Sequence, residues 1–242
     1  GAYKEISDTS IVAQFKCKKE GLSNELINLY PFYFLAWTTT PWTLPSNTAL
    51  TIGKKINYSF IKTYNQYTKD KITVVLATKL VDKIFSKNFF EVKSETELNS
   101  FDKNQSKIPF LKFHELLGED LENINYERIW DESPLPLDNP ENAFRIISGD
   151  FVTTEDGTGI VHTAPTFGAD DYKAAKNANP EVPPLQVFDK NGNKVPIVDL
   201  KGKFIEGIGL VSGKYVKNDY YDSNSVPEKS VDVEIAIRLK EL

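Results

Sequence analysis

Apolar and polar residues alternate through much of this chain, and the alternation lays out a series of short strands. Ile11, Ala13, Phe15 and Cys17 share one face of an extended segment within residues 3–17, the signature of a half-buried strand. After a turn at 18–24, the aromatic run 30–38 predicts a second strand and 48–52 a third. Residues 58–64 and 71–76 read as a hairpin around the polar loop 65–70. Leu80, Val81, Ile84 and Phe85 have helical spacing, which predicts a short amphipathic helix over 77–85. Further strands are expected at 144–147, at 151–153 and directly after Gly159, and a helix over 168–177. Asn191-Gly192 marks a hairpin between 185–188 and 194–198. The glycines of 204–211 suggest a bent strand, and 228–242 a closing helix. Many short strands with few helices imply a mixed α/β fold, mainly β, with a β-barrel or sandwich core and peripheral helices.

Between 89 and 140 the periodicity loosens. Lys, Glu, Asn and Ser dominate 93–107, prolines crowd 130–140, and Phe110, Leu111, Phe113, Leu116 and Leu117 form a small apolar cluster. This stretch reads as an insertion decorating a single domain that spans 1–242.

Composition narrows the function classes. With 242 residues, 40% of them apolar, the chain is long enough to bury a sizeable core. The net charge of −5 is the wrong sign for a broad phosphate-binding face. Contact with a nucleic-acid end, or help from a further domain, is compatible with it. Cys17 is the single cysteine, so neither a disulfide framework nor a cysteine zinc site is expected, and a reducing, intracellular setting is the simplest inference. No apolar run approaches the ~20 residues of a membrane span, and no signal peptide opens the chain. The chain has no methionine and begins Gly1-Ala2. It is read as excised from a longer protein, the alternative being that its methionines were replaced.

The candidate chemistry begins at Trp37-Thr38-Thr39-Thr40-Pro41-Trp42-Thr43-Leu44-Pro45-Ser46-Asn47. A buried strand would carry Val or Ile where this one carries threonines, because each buried hydroxyl must find a partner or cost about 1–3 kcal/mol. Adjacent hydroxyls at a strand end, held by a rigid turn, suit a site that hydrogen-bonds a ligand. An edge strand with threonines facing water accounts for them equally well. His162 sits in the apolar strand after Gly157-Thr158-Gly159, and Asp171 follows nine residues later at a helix start. Strand, turn and helix could fold the two around one pocket, although a lone histidine in such a strand is also a common hydrogen-bonded core residue. For Asp170 and Asp171, favourable charge at a helix N-terminus would account for one of the two. His114 lies in the insertion with no polar constellation and is expected to be structural or on the surface. A nucleophile-elbow serine, a phosphate loop with lysine and a zinc ligand set are all missing from the sequence. What remains is hydroxyls, one histidine, one asparagine and one aspartate, a set that can orient water and hold an amine.

These residues resemble a known family. The threonine motif, with Gly157-Thr158-Gly159-Ile160-Val161-His162-Thr163-Ala164-Pro165 and Gly168-Ala169-Asp170-Asp171-Tyr172, is similar to the editing domain of isoleucyl-tRNA synthetases, a connective insertion in a class I synthetase. Related valyl and leucyl domains have Arg-Pro after Thr-Thr, whereas this chain has Thr40-Pro41-Trp42. The resemblance implies hydrolysis of valine wrongly attached to isoleucine tRNA, with no cofactor in this domain. The partners it implies are the valine-carrying 3′ acceptor end of the tRNA and the rest of the synthetase in cis, where ATP binds. A cytoplasmic, monomeric domain without membrane contact goes with it. Under the resemblance, Asp171 binds the α-ammonium, and His162 lines the amino-acid pocket as a sieve and helps orient water. Thr38, Thr39 and Thr40 hold substrate and water, and Asn47 lies near the terminal ribose or the water. Trp42, Gly157, Thr158, Gly159 and Asp170 are carried over as substrate-binding positions, although Trp42 is expected to pack beneath the motif rather than touch ligand. The alternatives are a non-catalytic barrel binding an acceptor end or a protein partner, and the editing domain of a valyl or leucyl enzyme. Nothing functional carries over to 89–140.

Overall fold

The computed structural model describes residues 9–241; positions 3–8 of the first expected strand lie outside them. β1 (Ile11–Lys16) keeps the predicted alternation, with Ala13 and Phe15 buried and Gln14 exposed between them. The expected turn at 18–24 runs into a helix that the pattern did not reveal, α1 (Asn24–Leu29). Ser23 starts it by accepting from the Leu26 amide at 3.3 Å, the usual office of a capping serine. β2 (Tyr33–Thr38) leads into a 3₁₀ turn, Pro41–Ser46, and β3 (Ala49–Ile52) follows. β4 (Asn57–Tyr64) and β5 (Lys71–Ala77) form the expected hairpin, and α2 (Val81–Ile84) the short helix after it. Then come β6 (Phe89–Glu91), α3 (Glu95–Asn99), β7 (Ile108–Leu117), β8 (Arg145–Ser148), β9 (Ile160–Thr163) and α4 (Ala169–Asn177). The chain ends with the small hairpin β10 (Val187–Phe188) and β11 (Lys194–Val195), and α5 (Val231–Glu241).

Nine strands make one mixed sheet in the order β6-β7-β4-β5-β2-β9-β3-β8, with β1 on the remaining edge of β2. The expected barrel is corrected here, because this sheet is an open path and does not close. The reason lies in β2. β1 pairs along its whole length, while its other edge is shared between β5 at Tyr33–Phe34 and β9 at Trp37. The sheet therefore forks at β2 into two wings. Two expected strands are absent as well: 151–153 is irregular, and 204–211 holds a 3₁₀ turn with one isolated bridge at Phe204. Glycines at 207 and 209 with positive φ bend that backbone away from any ladder.

The segment 89–140, expected to decorate the body, supplies part of it. β7 pairs with β4, and residues 123–127 hydrogen-bond to β8 and to β1 (Asn123 N–H to Ile146 O, 2.9 Å; Glu127 N–H to Lys16 O, 2.7 Å). Tyr126 is thereby buried in the main core beside Phe15 and Phe144. Arg145 of β8 fastens this side. Its buried guanidinium donates to Asn142 O, Asn123 Oδ1 and Pro180 O, and burial holds its pKa below the usual arginine value. Arg145→Met is expected to destabilise the chain by about 2–4 kcal/mol, since three acceptors lose a charged donor at once; urea unfolding measures it.

Candidate functional site

The site is built where β2, its 3₁₀ turn and β9 converge. β9 pairs with β3, opposing His162 to Leu50, and touches β2 at Trp37–Val161. His162 is buried, with both ring nitrogens engaged. Nδ1 lies 2.8 Å from Asn47 Nδ2, and Nε2 lies 2.9 Å from Thr43 Oγ1. The neighbours settle the tautomer. Asn47 Nδ2 also donates to Ala49 O (2.8 Å), and Asn47 Oδ1 accepts from the Tyr126 hydroxyl (2.6 Å). The amide therefore offers a proton to His162, so Nδ1 is bare and accepts. The Thr43 hydroxyl donates to Thr40 O at 2.8 Å. Its oxygen is left to accept, so Nε2 carries the proton. Burial lowers the His162 pKa to about 3, with the Thr43 contact opposing the shift. The imidazole is neutral and has no lone pair to spare.

The hydroxyl loop is held from behind. The Thr40 amide donates to Thr38 Oγ1 (3.1 Å), Trp42 N–H donates to Asp232 Oδ1 of α5 (2.8 Å), and Ser133 Oγ donates to Pro45 O (2.6 Å). Thr38 is buried; Thr39 and Thr40 are exposed, and the Thr39 hydroxyl makes no hydrogen bond among the described residues. Trp42 is half-buried and packs edge-on against Phe167, ring centroids 5.0 Å apart. That contact and the His162 hydrogen bonds join the two sequence motifs in space.

Asp171 belongs to the same loop system. Its Oδ2 accepts the Ala164 amide at 2.9 Å, while Oδ1 has no hydrogen bond among the described residues. Burial raises its pKa, the Ala164 amide opposes that, and Asp170 adds to the rise. Asp170 itself is exposed and pairs with Lys173 (3.6 Å), so one aspartate braces the loop and the other faces solvent. Gly168 makes room for Asp171, for a Cβ there would stand 2.7 Å from Asp171 Cγ. Gly168→Ala is accordingly expected to displace this carboxylate and reduce any binding that depends on it by about tenfold; ligand titration reads the loss.

Gly157, Thr158 and Gly159 are placed differently. The Thr158 hydroxyl is buried and donates to Ile160 O (3.2 Å). Both glycines have φ +72°, and a Cβ at Gly159 would fall 2.3 Å from Ala77 Cβ. They line an open cleft of about 190 Å³ with Trp37, Phe151 and Val161. Because successive strand residues point to opposite faces, the face of Trp37 and Val161 is not that of Thr38 and His162. Three residues that hold this site together were missed by sequence reasoning. Thr43 lies inside the motif but reads as turn. Tyr126 and Asp232 lie in segments whose patterns carry no chemical signal, and only the fold brings them in.

No family model matches the chain. Isoleucine–tRNA ligase of Bacteroides fragilis (strain YCH46) is 44% identical to it over 99% of the chain, and that of Cytophaga hutchinsonii 43% over 100%; the matched part is 21% of each relative. The Porphyromonas gingivalis ligase is 42% identical over 99% of the chain and 22% of its own length. The chain thus spans about a fifth of the curated relatives it matches. Among solved structures, the P. knowlesi cytosolic leucyl-tRNA synthetase editing domain is 12% identical, covering 67% of this chain and 60% of its own, at a TM-score of 0.48, too distant to argue from. Over nearly all of its length, this chain belongs to the isoleucine–tRNA ligase family.

Proposed function

We propose that this segment is the hydrolytic editing module of an isoleucyl-tRNA synthetase, and that it releases valine from wrongly charged isoleucine tRNA. The need is physical: this enzyme family is the standard illustration that one missing methylene gives only about 1–3 kcal/mol of discrimination, so a second sieve must follow. One observation carries the reading. The threonine loop and the 162–171 segment, far apart in sequence, meet through Trp42–Phe167 and through His162 with Thr43 and Asn47.

Water attacks the ester carbonyl carbon, a tetrahedral oxyanion forms, and the ribose oxygen leaves with a proton. The free Oδ1 of Asp171 receives the α-ammonium, a charge-assisted contact. The exposed hydroxyls of Thr39 and Thr40 orient the ester and its water, and such donors stabilise a developing oxyanion. His162, with both nitrogens engaged, serves as a wall of fixed shape. The attacking water's proton reaches the leaving ribose oxygen through solvent, or through the neighbouring ribose hydroxyl, which takes up one proton as it passes its own on. The reading needs no cofactor. The tRNA body and the ATP-dependent ligation site belong to the remainder of a cytoplasmic synthetase in cis.

The test is hydrolysis of valyl and isoleucyl esters of adenosine and of valyl-tRNA. Valyl esters are expected to be cleaved and isoleucyl esters spared. Thr39→Ala, which removes bulk as well as a hydroxyl, is expected to raise cleavage of the isoleucyl ester relative to the valyl ester about tenfold. Binding of the valyl ester without any cleavage would favour a non-catalytic acceptor-end binder instead.

A further inference from the structure

We propose that Tyr126 is a positioning residue for the editing site: its hydroxyl orients the Asn47 amide, which fixes the His162 tautomer and, through Thr43, the backbone of the threonine loop. The proposal rests on the editing reading above. Tyr126 is fully buried, comes from the segment with the weakest sequence pattern, and its hydroxyl donates to Asn47 Oδ1 at 2.6 Å.

A primary amide in a buried niche can sit in either of two orientations. Ala49 O, an acceptor only, demands the NH₂ end of Asn47, and the oxygen end so placed demands a donor, which the Tyr126 hydroxyl supplies. The two demands agree, and the second amide proton is thereby aimed at His162 Nδ1. Every later link is then determined. A bare Nδ1 puts the ring proton on Nε2, Nε2–H donates to Thr43 Oγ1, and the Thr43 hydroxyl donates to Thr40 O. Thr40 is one of the exposed threonines of the loop. A phenylalanine at 126 would keep the edge contacts with Phe15 and Phe144 and remove only the donor. Asn47 Oδ1 would then be buried with no partner, and the amide would tilt toward whatever donor it could reach.

Two readouts on the whole chain test this. With only two histidines in the sequence, ring ¹⁵N NMR resolves the His162 tautomer directly. Wild type is expected to show Nδ1 bare and Nε2 protonated, and Tyr126→Phe a mixture of tautomers. On the valyl ester of adenosine, Tyr126→Phe is expected to lower kcat about tenfold, the size of one buried hydrogen bond, with KM within about twofold. Both must move. An unchanged tautomer with a fallen kcat would mean that the Tyr126 hydroxyl acts by some route other than the His162 tautomer, and an unchanged kcat that the relay is idle; either overturns the proposal. Should Tyr126→Phe fail to fold, 3-fluorotyrosine at 126 keeps the ring and strengthens the donor, and the His162 ¹⁵N shifts must then respond. If the wild-type chain cleaves no valyl ester, the editing reading falls, and the NMR comparison alone decides whether Tyr126 sets the tautomer.

Discussion

Asp171→Asn is expected to cut hydrolysis of the valyl ester by about 100-fold or more, mostly through KM. The substitution is nearly isosteric. Its side-chain oxygen can still accept the Ala164 amide, so the loop between β9 and α4 keeps its shape. What disappears is the charge facing the substrate's ammonium. In a half-buried setting such a contact is worth about 2–4 kcal/mol, and about 1.4 kcal/mol corresponds to a factor of ten. Asp171→Ala would confuse the result, because it also leaves the Ala164 amide without its acceptor, a stability cost of about 1–3 kcal/mol. An N-acetylated valyl ester supplies the control. It lacks the ammonium, so wild type and Asp171→Asn should cleave it equally slowly. Near-wild-type cleavage of the free-amine ester by Asp171→Asn would remove Asp171 from the site.

The strands and the motifs were legible for a common reason: both are local. β1 shows in the spacing of Ala13 and Phe15, and the β10–β11 hairpin in Asn191-Gly192. Sheet closure was not legible, because it depends on how β2 divides one edge between β5 and β9, and no periodicity encodes that division. α1 escaped because its six residues, Asn24–Leu29, bury only Leu26, too little for a helical stripe. At the site, the sequence named Asn47 and His162 but gave no hint that they bond each other through a defined amide orientation. Tyr126 behind Asn47 and Asp232 behind Trp42 are unexceptional residues in unexceptional segments. Positioning groups of this kind are chosen by three-dimensional proximity, and a single sequence does not display it. Gly157 and Gly159 line a cleft on the sheet face opposite His162, a division between faces that the motif's sequence does not display.

Acid should unfold this domain through His162. In the folded chain burial lowers its pKa to about 3, against an ordinary 6.5. The unfolded chain therefore binds a proton that the folded chain refuses, and stability falls with falling pH wherever that is so. The contribution is fully present above pH 6.5 and declines as pH drops toward 3. Below that, about 5 kcal/mol has been lost, at about 1.4 kcal/mol per unit. By pH 4.5 the loss should already be about 2.8 kcal/mol. Asp171 works in the other direction, since its raised pKa lets it protonate in the folded state first as pH falls. Single curves would mix the two, so the measurement is a difference: urea unfolding of wild type and His162→Gln from pH 7 to 4.5. The variant is expected to be weaker at pH 7, having lost two hydrogen bonds, but to show the shallower slope below 6.5. Parallel slopes would mean that His162 takes up its proton in the folded state. The network could not survive that, because a protonated Nδ1 would confront the Asn47 amide protons at 2.8 Å. The same geometry sets the expectation for activity. The proton that abolishes the fold does not reach His162 while the domain is folded, so the histidine should add no titration to the pH profile of hydrolysis between 5 and 8.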